Sequence, residues 1–129
     1  IKIRNKNFKK QIEFFAKYPE LFENPIQFNN TETAWLAFPI LISSKAKFSR
    51  KSFQIFLENR NIQTRVVFTG NILKQPMCKN IIKKVCKDGY PNADAVMQRG
   101  VLLPLHHGMT DEMFNRLHET IDEFVKLNS

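Results

Sequence analysis

Between Ala34 and Ser43 the chain reads Ala-Trp-Leu-Ala-Phe-Pro-Ile-Leu-Ile-Ser, a nearly continuous apolar run with a proline in its middle. No other segment limits the fold as much. The run is too short to cross a bilayer. It is long enough for a buried strand, and Pro39 removes one backbone donor, so that strand has an edge or a bulge there. Its cover must come from the rest of the chain.

That cover is written as helices with apolar stripes. The spacing of Phe8, Ile12 and Phe15 predicts a helix over Asn7–Tyr18, with Lys9, Lys10, Glu13 and Lys17 in solvent and Pro19 stopping it. A connector follows from Glu20 to Thr33. Ser49 is a natural N-cap for a second helix, with Phe48 and Phe53 at the staple positions and Phe53, Phe56 and Leu57 as its buried stripe. Ile62 to Phe68 reads as a second strand that runs into the turn Thr69-Gly70-Asn71. Ile72 to Tyr90 is ambiguous; Ile81, Ile82 and Val85 fit a short helix face with Lys83, Lys84 and Lys87 outside. Asn92 caps a short helix through Met97, and Gly100 is placed to end it in the left-handed conformation. Val101 to Leu105 is a third strand. The last helix starts at Thr110, with Asp111 and Glu112 on the positive end of its dipole, Met109 and Phe114 as staple, and Met113, Leu117, Ile121 and Phe124 as stripe. The order αβαβ(α)βα predicts an α+β fold: a small sheet of three to four mostly antiparallel strands, with helices mainly on one face.

The chain of 129 residues, 43% of them hydrophobic and twelve of them Phe, is large enough to fold on a single core. Two reduced thiols are expected at Cys78 and Cys86, and no metal site, because no second cysteine pair exists. The mixed, charged start at Ile1 does not read as a signal peptide. Its lack of an initiating methionine suggests a piece of a longer polypeptide. The formal charge of +8 permits nucleic acid, anionic lipid or acidic small molecules as partners. Its cationic residues are spread mainly in three groups, Lys2–Lys17, Lys45–Lys51 and Lys74–Lys87, without a nucleic-acid motif. A basic nucleic-acid-binding module and a protein-interaction domain therefore stand as alternatives to an enzyme part.

No complete catalytic set is legible. Ser43, Ser44 and Ser49 lie at a strand end or a helix cap, no Gly-x-Gly-x-x-Gly run exists, and His106 and His107 are adjacent, not at helical metal-binding spacing. Two segments are nonetheless unusual. Thr64-Arg65-Val66-Val67-Phe68-Thr69-Gly70-Asn71 delivers a guanidinium and an amide to a glycine turn. By pattern alone Arg65 lies on the solvent face and Asn71 makes the turn; the other reading is a fork of donors for carboxylate or phosphate. Leu103-Pro104-Leu105-His106-His107-Gly108-Met109-Thr110 ends a buried strand in two histidines before a helix N-terminus. By pattern these are surface or capping histidines, and His118 is structural or exposed.

Those segments, with Trp35-Leu36-Ala37-Phe38-Pro39-Ile40, Asn61-Ile62-Gln63-Thr64-Arg65 and Phe68-Thr69-Gly70-Asn71-Ile72-Leu73-Lys74-Gln75-Pro76, occur here in one order. Together they resemble the C-terminal domain of the DegT/DnrJ-type sugar aminotransferases, from about Ala34 to Leu127. The resemblance implies the small domain of the aspartate-aminotransferase-type fold, with residues 1–33 as lead-in helix and connector and 34–129 as the small domain. It implies pyridoxal phosphate as the cofactor of the full-length enzyme, held upstream of Ile1 on lysine, or beside histidine in the 3-dehydratase relatives, and not covalently on this chain. It implies a nucleotide-linked keto-sugar as substrate, glutamate as amino donor, and a place in surface polysaccharide or lipopolysaccharide biosynthesis. The implied partners are a large domain of the same polypeptide and a second copy in a homodimer, in the cytoplasm, with no membrane and no nucleic acid. Arg65, Phe68, Thr69, Gly70, Asn71, His106 and His107 are the implied substrate-binding residues, and no catalytic residue lies in this stretch. Family members more often carry proline at the position of His107. The Leu-Pro-Leu-His ending leans to amino transfer, whereas Thr-Arg-x-x-Phe-x-Gly-Asn is shared with the dehydratases.

Overall fold

A computed structural model describes residues 1–128. Four helices, α1 (Lys2–Phe15), α2 (Arg50–Glu58), α3 (Pro91–Arg99) and α4 (Asp111–Asn128), accompany four strands, β1 (Phe22–Glu23), β2 (Phe38–Ile42), β3 (Arg65–Val66) and β4 (Gly100–Leu103). The strands form one sheet in the order β1-β2-β4-β3, antiparallel throughout. The expected α+β architecture is therefore present, with its fourth strand in the connector.

Strand alternation decides the two faces. Phe38, Ile40 and Ile42 point to one side of β2, and their register partners Val101 and Leu103 extend that side across β4. Against them pack Phe8 and Phe15 of α1, Phe53 and Leu57 of α2, and Leu117, Ile121 and Phe124 of α4. The opposite face carries Pro39, Leu41 and Leu102 and is covered in part by α3. Pro39 lies opposite Leu102, while β1 reaches only Ile42 and Leu41. The proline therefore sits where one flank of β2 has no neighbour, as its missing donor requires.

Caps set the helix starts. The Ser49 hydroxyl accepts from Ser52 N at 3.1 Å, and Ser52 returns the contact to Ser49 N at 3.1 Å. Thr110 Oγ1 accepts from Met113 N at 3.2 Å. In α4 the core residue is Phe114, and Met113 of the expected stripe is half exposed. Helix α1 begins five residues before the expected Asn7, without a side-chain cap. Gly100 is not left-handed: its φ of −77° and ψ of 133° already belong to β4. It must be glycine for another reason, since a Cβ would lie 2.6 Å from Val96 O, where the strand leaves the helix. Strand β3 holds only two of the expected seven residues, and β4 ends before Pro104. The ambiguous stretch contains two 3₁₀ turns, Ile72–Lys74 and Pro76–Cys78, and Ile81, Ile82 and Val85 form no helix. Both cysteines are free. No helix among the described residues is long and apolar enough to cross a membrane.

Histidine 118 joins α4 to α1. Its ring stacks on Phe14 at 3.9 Å, and its Nε2 donates to Gln11 Oε1 at 3.1 Å. Burial, assisted by the charge of Lys17, lowers its pKa to about 4. The unfolded side chain titrates near 6.5. Above that pH both states are neutral and the stacking contributes fully. As pH falls from 6.5 to 4 the unfolded chain takes up the proton first, so stability declines by about 1–2 kcal/mol after allowance for solvent screening. Asp94 and Asp111 have lowered pKa values through Lys74 and Lys10, so their contributions are lost only at lower pH. Urea midpoints for wild type and His118→Gln between pH 7 and 4.5 check this: the wild-type curve should be the steeper. Parallel curves would remove His118 as the cause.

Candidate substrate-binding edge

The site is assembled from β3 upward. Thr64 is buried before the strand, its N donating to Glu58 Oε1 at 2.6 Å and its Oγ1 to the same oxygen at 2.9 Å. This ties the strand entry to α2 and leaves its neighbours Gln63 and Arg65 outward. The Arg65 side chain is exposed and has no hydrogen bond or ion pair among the described residues. It lines a cleft of about 320 Å³ with Leu36, Gln63, Leu102, Pro104 and His106. A second cleft of about 370 Å³ shares Gln63, Pro104 and His106 and continues toward Met109 and Arg116. The ends of β3 and β4 thus meet at one concave edge.

His106 is oriented by its own turn. Its Nδ1 accepts from Gly108 N at 3.2 Å, so the neutral ring carries its proton on Nε2. Its carbonyl accepts from Asn7 Nδ2 at 2.9 Å, which anchors the turn on α1. The ring presents a donor beside a guanidinium, a pair suited to an anionic or carbonyl oxygen. His107 is exposed and lines neither cleft.

The turn after β3 points elsewhere. Phe68 N donates to Val66 O at 3.0 Å, closing a tight turn over Val67, and Phe68 itself has φ 42°. A bulky residue in that region is strained, and its ring is 91% exposed. The protein therefore holds an aromatic side chain in solvent against its backbone preference. Gly70 has φ 64°, and a Cβ there would come within 2.2 Å of Met97 Cβ. Gly70→Ala is expected to cost about 1–3 kcal/mol, read as a lowered melting temperature, because strain and overlap act together. An unchanged melt would show that α3 yields freely. Thr69 is exposed, and its carbonyl accepts from Gln75 Nε2 at 2.9 Å.

Asn71 is buried. Its side-chain oxygen accepts from Leu73 N at 3.0 Å and its Nδ2 donates to Asp94 Oδ1 at 2.8 Å. The Lys74 ammonium, 2.8 Å from that carboxylate, and then the Asn71 amide hold Asp94 below the usual carboxylate range. Asn71 thus fixes the turn that carries Phe68. Residues 68–71 line neither cleft with His106. Gln63, which lines both, is the residue that motif reading passed over; its signal was the period of two that puts it beside Arg65.

The DegT/DnrJ/EryC1/StrS aminotransferase family matches residues 1–122. The chain belongs to that family. As a DegT-type domain it is 33% identical over 126 residues to the dTDP-4-dehydro-2,6-dideoxy-D-glucose 3-dehydratase of Saccharopolyspora spinosa, covering 98% of this chain and 27% of the relative. It is 26% identical over 125 residues to the lipopolysaccharide biosynthesis protein RfbH of Salmonella typhimurium, covering 97% and 28%. A DegT-type aminotransferase from Brucella abortus shares its fold at a TM-score of 0.78 and 16% identity, over 95% of this chain and 30% of that one. The chain therefore spans just over a quarter of these curated relatives, and its fold is that of the small domain in aspartate-aminotransferase-type enzymes. The DegT family implies pyridoxal phosphate. Among the described residues no lysine lines either of these two clefts, and Lys10, the least exposed lysine, is paired with Asp111.

Proposed function

We propose that this chain is the small domain of an enzyme that uses pyridoxal phosphate, held by a large domain of the same polypeptide, to remodel a nucleotide-linked keto-sugar. The observation that carries the reading is the cleft in which unpaired Arg65 and the Nε2–H of His106 face one space. Arg65, Gln63 and His106 bind and orient an oxygen-rich group of the substrate or of an amino-donor carboxylate. Phe68, Thr69, Gly70 and His107 form the outer rim that meets the rest of the enzyme, and Asn71 sets that rim from beneath. A homodimer and a cytoplasmic place belong to the same proposal.

Two reactions suit such a domain. Amino transfer from glutamate, in surface polysaccharide or lipopolysaccharide biosynthesis, is the one the Leu-Pro-Leu-His ending favours. Removal of the 3-hydroxyl is favoured by the 33% identity over 98% of this chain to a 3-dehydratase. That likeness covers nearly all the residues and outweighs a four-residue ending. Dehydration is therefore the first reading and amino transfer the second.

The test uses the full-length polypeptide with pyridoxal phosphate, glutamate and a dTDP-linked 4-keto-6-deoxy sugar. A 3-deoxy product supports the first reading and an amino sugar the second; neither, with the GDP-linked sugar also inert, overturns both. The 129-residue chain alone should give no borohydride-trappable adduct at one specific lysine, and such an adduct would place the cofactor seat in this domain.

A further inference from the structure

The segment between the second 3₁₀ turn and α3 combines exposed side chains with open backbone donors. Every residue from Lys79 to Tyr90 is exposed. The N–H groups of Asn80 to Val85 have no partner among the described residues. The segment is nonetheless apolar: Ile81 and Val85 are about half exposed and Ile82 wholly so, with Met77 close behind at 71%. Three of these residues are β-branched, the types that favour strands. Two contacts hold the segment's frame: Lys83 Nζ donates to Cys78 O, and Tyr90 OH accepts from Cys86 N at 3.1 Å.

A strip with open backbone donors and β-branched side chains is a template for strand pairing. Its charge restricts what can pair. Lys79, Lys83, Lys84 and Lys87 stand against one acid, Asp88. The side chains of Lys79, Lys84 and Lys87 make no ion pair or hydrogen bond among the described residues. A second copy of the strip would set lysine opposite lysine, which is destabilising. A lipid surface would neutralise the lysines, but the unpaired N–H groups could not enter hydrocarbon. A protein strand edge carrying carboxylates meets all three demands: backbone pairing, apolar cover and opposite charge.

The geometry points to residues 81–87 as a pairing strip that docks, by strand addition, onto an Asp- or Glu-bearing strand edge in the part of the enzyme outside these 129 residues. This rests on the reading of the chain as one domain of a longer enzyme. Docking there anchors the loop that leads from the Phe68–Asn71 rim to α3, and so sets how the small domain meets the cofactor-bearing part.

Amide hydrogen exchange, measured on the full-length enzyme and on the 129-residue chain, tests it. Amides 81–85 are expected to exchange more than about tenfold slower in the full-length protein. Lys84→Glu with Lys87→Glu should abolish most of that protection, and Lys84→Arg with Lys87→Arg should keep it. Equal exchange in both proteins overturns the inference. Protection already present in the isolated chain, together with a dimer by light scattering, overturns it in favour of self-pairing. Salt-sensitive sedimentation of the full-length protein with phosphatidylglycerol–phosphatidylcholine vesicles, lost in the glutamate variant, overturns it in favour of a lipid surface. Sugar turnover on the same samples separates the two claims. Turnover without protection sinks only the docking, and protection without turnover sinks only the activity.

Discussion

Replacing Phe53 by alanine is expected to destabilise the domain by about 3–5 kcal/mol, the range for deleting a buried phenylalanine ring. Its ring is fully buried where three parts of the chain converge. It lies 5.5 Å from Phe22 of β1, 6.2 Å from Phe48 before α2 and 5.2 Å from Phe124 of α4. These neighbours are pinned by other contacts: Phe22 also meets Phe15 at 5.1 Å, and Phe124 meets Phe56 at 5.0 Å. A cavity among rings held from several sides collapses little, so the upper half of the range applies. Domains of this kind have about 5–15 kcal/mol in total, so the variant loses a large share. Urea unfolding followed by circular dichroism measures it, and an unchanged slope would confirm that the native state is still compact. Phe68→Ala is the control. That ring is 91% exposed, and its removal should change stability by less than about 0.5 kcal/mol. A Phe53→Ala loss below about 1 kcal/mol would mean the aromatic cluster repacks, and the sheet–helix interface would need another keystone.

The two phenylalanines also mark what a sequence can reveal. Phe53 was legible because its role is local: a capping serine four residues before it, a staple partner at Phe48 and helical spacing to Leu57. The stripe of α4 was legible for the same reason, whereas of the apolar run from Ala34 to Ser43 only Phe38–Ile42 is strand. Elements fixed from a distance were not legible. Asn7 and Gln11 are polar and nothing in the neighbouring sequence marks them as interior, yet both are buried. Asn7 donates to His106 O at 2.9 Å and Gln11 to Pro104 O at 3.4 Å, partners more than ninety residues away. Strand β1 has two residues, too few for any alternation to appear, and exists because Phe22 and Glu23 find Ile42 and Leu41. At the site, motif resemblance singled out Arg65 and His106, and the fold sets them in one cleft. It could not show that Asn71 would be buried, because that depends on Asp94 of α3, or that Phe68 would stand out in solvent.

Arg65→Ala is expected to leave folding nearly untouched and to cripple the full-length enzyme. The folded chain gives Arg65 no partner to lose, so the stability change should stay within about 0.5 kcal/mol. On the proposed reading, the guanidinium meets an anionic group inside a cleft that the rest of the polypeptide closes. Truncating one member of such a hydrogen-bonded charge pair costs about 2–5 kcal/mol. That corresponds to a loss of roughly 30-fold to several-thousand-fold in kcat/KM. Arg65→Lys keeps the charge but not the planar fork, and should fall between the two. The division of the loss carries further information. A rise in KM alone would mean that Arg65 grips substrate and transition state equally, whereas a matching fall in kcat would place its contact nearer the reacting atoms. His106→Gln supplies the comparison, because it keeps a donor in the cleft without the imidazole ring. If Arg65→Ala changes stability but not turnover, the cleft is an accident of two strand ends meeting, and the substrate must be held by residues outside this domain.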